Sequence, residues 1–232
     1  MQQSSAGARG FLDNTWKLGG AAGIAFVVLF FAGIVSQGDA PGYGDNIADV
    51  RAFYVDHANQ FGVGDFITAF AAVFLFLPFA AGLRAALASA DRSDGFWPRV
   101  AYAGATFFVV FGGTSSVFMG AAALTELKDI DDSTLRFMVG ADTYGFAAAG
   151  VSLALMDAAT AVVILRTGVF RRWLGFLALV AAVLSVPGGL AVLEHDGHSV
   201  ISALQLLGLL GSAILVVSLS ISMLLRKDEG MV

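Results

Sequence analysis

Six long apolar segments, separated by short charged connections, constrain the fold of this chain more than any other feature. They cover residues 18–38, 66–83, 100–125, 143–165, 173–193 and 199–225, and Asp157 is the one charged residue within them. A helix that crosses a hydrocarbon core about 30 Å thick needs ~20 such residues. None of the segments alternates polar and apolar residues as a barrel strand does. The sequence therefore predicts an all-α membrane protein, a six-transmembrane-helix bundle.

The composition excludes several other classes of protein. Hydrophobic residues make up 57% of the chain and charged residues 13%, whereas a soluble domain carries about 25% charged residues. The chain has no cysteine, which excludes disulfides, zinc–thiolate sites, iron–sulfur clusters and thiol catalysis. The net charge of -5 argues against a nucleic-acid partner.

The charges of the connections predict the orientation in the membrane. The N-terminal segment, two loops and the C-terminal tail are predicted on one side of the membrane. Their residues are 1–17, 84–99, 166–172 and 226–232. Ten of the 13 basic residues lie on this side, and the other side holds only Arg51, Lys128 and Arg136. The excess of basic residues predicts that both termini of the transmembrane domain, 18–225, are cytoplasmic. Trp16, Trp97 and Trp173 lie near this same side, as interfacial anchors do.

The first apolar segment also has a weak likeness to a signal peptide. Gly38-Asp39-Ala40 loosely resembles a cleavage site, but the preceding apolar region of about 20 residues exceeds the usual 7–15. We therefore expect the segment to be retained as the first span.

The two longer outer connections are acidic. In the first, the apolar residues of 46–59 recur at spacings of three and four residues. This spacing predicts an amphipathic helix at the outer membrane interface between spans one and two. The second, 126–142, is either a solvated collar or a cation-attracting vestibule. Its acidic residues are Glu126, Asp129, Asp131, Asp132 and Asp142.

Asp157 is a candidate functional residue because it lies in the middle of the fourth span. Inserting a carboxylate there costs about 2.5–3.5 kcal/mol, so such a residue normally faces the bundle interior and has a partner. No lysine or arginine lies at its depth, so we expect a protonated carboxyl. It either joins helices by a hydrogen bond, contacts a ligand, or belongs to a proton or ion relay. We take Asp157, Thr160 and Asp65 as the candidate ligand or relay residues.

All three histidines are predicted on the outer side. His195 and His198 lie close in sequence, and His57 would have to approach through folding. Two histidines with a carboxylate suit zinc, copper or iron; the alternatives are solvated histidines or a pH-responsive loop. The candidate ligands of a divalent transition metal are His57, Glu194, His195, Asp196 and His198.

Proline, glycine and phenylalanine predict further details of the spans. Pro187, followed by two glycines, should kink or break the fifth span, either as a packing device or to expose backbone to a substrate. Glycine pairs at 19/23 and 208/211 predict close helix contacts. The phenylalanines crowding spans two and three face lipid or line a hydrophobic pocket.

Residues 46–193 also contain motifs that resemble a known group of proteins. The motifs are Phe53-Tyr54-Val55-Asp56-His57, Gly82-Leu83-Arg84-Ala85-Ala86-Leu87, Phe146-Ala147-Ala148-Ala149-Gly150 and Leu165-Arg166-Thr167-Gly168-Val169-Phe170-Arg171-Arg172-Trp173-Leu174-Gly175. In these the chain resembles uncharacterised six-span integral membrane proteins of high-GC actinobacteria. The resemblance implies a plasma-membrane protein and supplies neither an activity nor site residues.

The sequence leaves three functions open. The first is binding or transport of a small solute or cation that enters from the outer face above Asp157. The second is an accessory or scaffold subunit of a larger membrane complex, with a membrane-protein partner or a second copy of the chain. The third is a metal-dependent enzyme that uses the outer histidines. No nucleophile–base pair is apparent, so we assign no catalytic residue.

Overall fold

The computed structural model describes residues 3–124, 130–193 and 200–226, and all the regular structure in these ranges is helical. Two breaks in α-helical geometry occur, a π-helical turn after α2 and a 3-10 helix after α6. The elements in order are α1 (Gln3–Gln37), α2 (Ile47–Ala71), the π-helical turn (Ala72–Phe76), α3 (Leu77–Ala88), α4 (Phe96–Leu124), α5 (Asp132–Thr167), α6 (Arg172–Ser185), the 3-10 helix (Pro187–Leu193) and α7 (Val200–Leu224).

Six helical segments of the described ranges are long and apolar enough to cross a membrane. Each contains most or all of one predicted span, so the predicted bundle of six transmembrane helices is confirmed and the chain is a multi-pass membrane protein. The segments are Thr15–Gln37, Ile47–Ala88, Phe96–Phe118, Asp132–Thr167, Arg172–Leu190 and Ala203–Leu224.

The segment 46–59, predicted as a separate interfacial helix, is instead the start of a longer helix. Asn46 caps α2, which continues through the π-helical turn into α3 with no non-helical residue between them. No proline separates the amphipathic segment from the following span, and a helix once started extends at little cost. The amphipathic face also packs on α5. This contact is a cluster of Val50, Tyr54, Phe61, Leu135 and Val139.

The acidic connection differs from the prediction in a similar way, because α5 begins eleven residues before the predicted span. Asp131 caps this helix by accepting a hydrogen bond from the Thr134 amide at 2.9 Å. The hydroxyls of Ser133 and Thr134 also donate to it, and together these bonds hold the pKa of Asp131 well below its usual range. Asp131 and Asp132 are exposed, as in a solvated collar, whereas Asp142 lies almost three turns inside the helix.

The predicted break of the fifth span is confirmed. α6 ends at Ser185, and the chain continues from Pro187 as a 3-10 helix. Here Gly188 packs closely against α7, because a Cβ at this position would lie 2.7 Å from Cγ of Gln205. The break therefore serves helix packing at this point.

Glycine also brings other helices together. A Cβ on Gly19 of α1 would lie 2.9 Å from Cα of Gly82 in α3, and one on Gly208 of α7 would lie 2.3 Å from Ser185 Oγ. The predicted close contacts at these glycine pairs are therefore confirmed. Among the described glycines, Gly104 of α4 approaches a neighbouring backbone most closely, since a Cβ there would lie 2.6 Å from the Met156 nitrogen of α5.

The up-and-down order of the spans gives the bundle two chemically different ends. At the basic end Arg226 lies over the Trp16 ring, 4.0 Å from its centroid, and the other basic residues there include Arg84, Arg99, Arg166, Arg171 and Arg172. At the acidic end Arg51 pairs with Asp132 at 2.6 Å. This acidic end carries the connection 38–46 and the start of α5, and it is where the candidate site lies.

Candidate functional site

A partly open cavity of about 220 Å³ lies near the acidic end among α1, α2, α4 and α5. Residues 40–42 of the connection between α1 and α2 form part of its wall. Eight polar side chains from four helices line it: Gln37, Tyr54, Asp65, Thr68, Ser115, Ser116, Asp142 and Thr143. A cavity within a membrane bundle that collects so many polar groups can bind a polar ligand.

Asp65 places one carboxylate in the wall from α2. Its Oδ2 faces α4, since a Cβ on Gly120 would lie 3.4 Å from this oxygen. The Ser116 hydroxyl, one turn earlier on α4, lies near the Asp65 carboxylate. The Asp65 carboxylate therefore lies in the wall of the cavity, against α4.

Asp142 places a second carboxylate in the wall from α5. The Ser115 hydroxyl of α4 donates to Oδ1 of Asp142 and lies 2.9 Å from its carbonyl oxygen. The helices can come this close because Gly145 has no side chain, and a Cβ there would lie 2.8 Å from Cβ of Ser115. Ser115 thus positions Asp142, and the adjacent Ser116 lies beside Asp65.

The two carboxylates act electrostatically on each other. A negative charge on Asp142 repels a negative charge on Asp65. Both carboxylates also have a Coulombic interaction with the Tyr54 hydroxyl in the same wall. No lysine, arginine or histidine of the described residues lines the cavity. Because two like charges repel and an opposite charge nearby relieves the repulsion, the site favours a cation.

The floor of the cavity is apolar. It is formed by phenylalanine rings and an alanine, namely Phe30, Phe108, Phe146 and Ala149. Aromatic faces of this kind accept the alkyl part of an organic cation and attract its charge. The phenylalanines of span three therefore lie on different faces of α4. Phe108 is buried in this floor, whereas Phe107 and Phe111 are exposed on the bundle surface.

Asp157 lies outside this cavity, in the bundle interior. It is 0% exposed, and the Ser212 hydroxyl of α7 lies 2.5 Å from its Oδ2. Thr160, one turn away, is also fully buried, and its hydroxyl has no hydrogen-bond partner among the described residues. Of the three residues predicted to form a relay, Asp65 thus lines the cavity, whereas Asp157 and Thr160 lie apart from it.

Most of the predicted metal ligands lie outside the described residues, namely Glu194, His195, Asp196 and His198. His57 is described; it is exposed, stacks on the Phe53 ring and lies 3.1 Å from the Phe53 carbonyl oxygen. Within the described ranges, no three histidine, aspartate or glutamate side chains gather as metal ligands would. The metal site therefore stays a prediction.

Sequence reasoning did not assign Asp142, Ser115 or Tyr54 to a common site. Asp142 was placed in a connection because the predicted span began after it, and the partners of a serine on α4 depend on which helix packs beside it. The signal available in the sequence was a pair of serines next to two glycines, 112 and 113, within a span. Comparison of the chain with known protein families, with curated proteins and with solved structures finds no match.

Proposed function

We propose that this multi-pass membrane protein binds a small cationic solute in the Asp65–Asp142 cavity, as a step in carrying that solute across the plasma membrane. The observation that carries the proposal is the pair of carboxylates in one cavity, with no basic side chain of the described residues in its lining. The Ser115 hydroxyl of α4 donates to Asp142, and the adjacent Ser116 lies near Asp65, so both carboxylates lie against α4 before a ligand arrives.

The size of the cavity indicates what class of cation fits. Its 220 Å³ corresponds to about seven water molecules at roughly 30 Å³ each. This is smaller than the 300–1,000 Å³ typical of drug-sized ligands. A small organic ammonium ion suits both parts of the site, with its charge at the carboxylates and its carbon atoms on the phenylalanine floor.

We further propose that the acidic end of the bundle faces the outside of the cell. The excess of basic residues at the other end favours this orientation, and an outward acidic end attracts cations to the cavity mouth. Because the chain has no cysteine, single cysteines report the orientation directly. We expect a membrane-impermeant maleimide applied to whole cells to label D45C and to leave S93C unlabelled. The reverse pattern would contradict the orientation.

Binding is tested by thermal unfolding of the detergent-solubilised protein with methylammonium chloride, sodium chloride or neutral acetamide at constant ionic strength. A ligand that binds only the folded state stabilises it by about 2.7 kcal/mol at a hundred times its Kd. We expect methylammonium to raise the unfolding temperature and acetamide to leave it unchanged. A larger effect of sodium would indicate an inorganic cation instead.

Matched variants connect the effect to the site. We expect Asp65→Asn and Asp142→Asn to abolish the methylammonium shift, because each removes one of the two charges. Asp56→Asn is the control, since Asp56 lies on the same helix as Asp65 but is exposed and outside the cavity lining. Equal shifts in all three variants would refute the proposed site. Uptake of radiolabelled methylammonium into proteoliposomes then distinguishes transport from binding alone.

A further inference from the structure

The buried Asp157 has a hydrogen-bond geometry that an additional proton would complete. The Ser212 hydroxyl lies 2.5 Å from Oδ2 of Asp157 and 3.0 Å from the carbonyl oxygen of Gly208. A serine hydroxyl has one proton, so it cannot donate fully to both oxygens. With a protonated carboxyl, Asp157 donates to Ser212 and Ser212 donates to Gly208, which satisfies both contacts.

No charged side chain of the described residues faces Asp157 from the helices packed around it. α4 meets this part of α5 with Gly104, and α6 meets the facing part of α7 with Ser185. Along α5 itself, Asp142 is 15 residues away and Arg166 is nine, which corresponds to about 22 Å and 13 Å of helix. An isolated carboxylate is unfavourable at this depth, and a proton is the smallest ligand that removes its charge.

An aromatic layer, formed by Phe108 and Phe30, separates the Asp65–Asp142 cavity from Ser212. Both rings line the floor of that cavity and also a smaller cavity of about 20 Å³ on the other side. Ser212 lines the smaller cavity. The hydroxyl that contacts Asp157 is therefore one aromatic layer away from the open cavity.

A second small cavity, of about 10 Å³, leads to the same part of α7. It shares Phe146 and Ala149 with the Asp65–Asp142 cavity and is lined on its other side by Ser185. The Ser185 hydroxyl is buried without a hydrogen-bond partner among the described residues. It also lies beside Gly208, whose carbonyl contacts Ser212. Both small cavities thus reach α7 at Leu209, and Phe108 lines each of them.

We propose that Asp157 is a proton-binding site that exchanges protons with the Asp65–Asp142 cavity across the aromatic layer, with Ser212 as the neighbouring hydroxyl and Phe108 as the barrier. In the binding step a hydronium ion in the cavity gives up its proton, water remains there, and the Asp157 carboxylate becomes a neutral carboxylic acid. Release reverses the step. This site is independent of which solute the cavity takes, so it can operate whether or not the proposed function holds.

The test is infrared difference spectroscopy on the full-length protein reconstituted in lipid. We expect the wild type to show the C=O stretch of a protonated carboxylic acid, part of which disappears in Asp157→Asn. After transfer to D₂O this Asp157 band should exchange slowly. We expect Phe108→Ala to speed its exchange several-fold, because the substitution opens the aromatic layer. Phe108→Leu, a milder change that retains a large apolar side chain, should give an intermediate rate.

Phe107→Ala is the matched control. Phe107 is the adjacent residue on the same helix but is 51% exposed, compared with 5% for Phe108, so its removal should leave the exchange rate unchanged. Asp65→Asn identifies any band that comes from the cavity itself, and this variant should leave the slow band in place. Identical spectra of the wild type and Asp157→Asn would overturn the proton site. Equal exchange rates in the Phe107 and Phe108 variants would overturn the role of the aromatic layer.

Discussion

Replacing Gly104 with alanine tests whether the backbone contact between α4 and α5 stabilises the bundle. An added Cβ would lie 2.6 Å from the Met156 nitrogen, 2.8 Å from the Ser152 carbonyl oxygen and 3.0 Å from Met156 Cα. All three are backbone atoms of α5, so no side-chain rotation can relieve the contact. Since ordinary van der Waals contact begins at 3.4 Å, α4 must move away from α5 by about 0.8 Å.

The energetic effect follows from this displacement. A gap of 0.5–1 Å forfeits about a quarter to a half of the dispersion energy of the atom pairs it separates. Overpacked positions typically cost about 1–3 kcal/mol, and the better helix propensity of alanine returns at most ~1 kcal/mol. We expect Gly104→Ala to lower the free energy of unfolding by about 1–2 kcal/mol, which is a factor of roughly 5–30 in the folded-to-unfolded ratio.

The assay is reversible unfolding of the purified protein by SDS in mixed micelles, followed by far-UV circular dichroism. Gly62→Ala is the control, because Gly62 also lies within a helix but a Cβ there would meet no atom within 4 Å. This control should be neutral or stabilised by up to about 1 kcal/mol. If Gly104→Ala were as stable as Gly62→Ala, the close packing of α4 on α5 described above would be wrong.

Three further substitutions test other parts of the structure. Phe76→Ala removes a fully buried ring and should lower the free energy of unfolding by about 3–5 kcal/mol. Phe74→Ala, at an exposed position, should stay within ~0.5 kcal/mol of the wild type. SDS titration measures both free energies. Gly168→Ala places a Cβ at a φ of +68° and should lower stability by about 1–2 kcal/mol, with Gly168→Asn less affected in the same titration. Asp131→Ala removes the cap of α5 and should destabilise the protein at neutral pH. Because hydrogen bonds lower the pKa of Asp131 in the folded state, its stabilisation is present above the ordinary pKa of 3.8 and is lost as the pH falls towards the folded-state value, so the wild type and variant should converge in acid.

The number and approximate position of the spans could be predicted from the sequence, because each segment must by itself be long and apolar enough to cross the hydrocarbon core. Their ends could not, since each predicted boundary was set by a charged residue or histidine. Asp142 shows why this rule fails: the Ser115 hydroxyl of a neighbouring helix donates to it, so the carboxylate is accommodated well inside α5. The segment 46–59 was misassigned for a related reason, because an apolar helix face that packs on α5 has the same periodicity as one that lies on lipid.

The candidate site was only partly predictable. Asp157 was recognisable as a buried polar residue, because a lone carboxylate in an apolar span is conspicuous in the sequence. The cavity was not recognisable, because its carboxylates come from α2 and α5 and lie beside two adjacent serines of α4. Which helix lies beside which depends on the packing of glycine-containing faces over the whole bundle, and no local pattern encodes it.

The π-helical turn at Ala72–Phe76 sets the rotational phase between the two halves of the second span. A π-helical turn accommodates one residue more than a regular α-helix would, and one residue corresponds to about 100° of rotation. Deleting a single residue there would turn Asp65 out of the cavity wall or turn the buried Phe79 towards lipid, although no side chain of either half had changed. Chain length at this turn, rather than residue identity, therefore keeps the cavity-facing half and the core-facing half of this span in register.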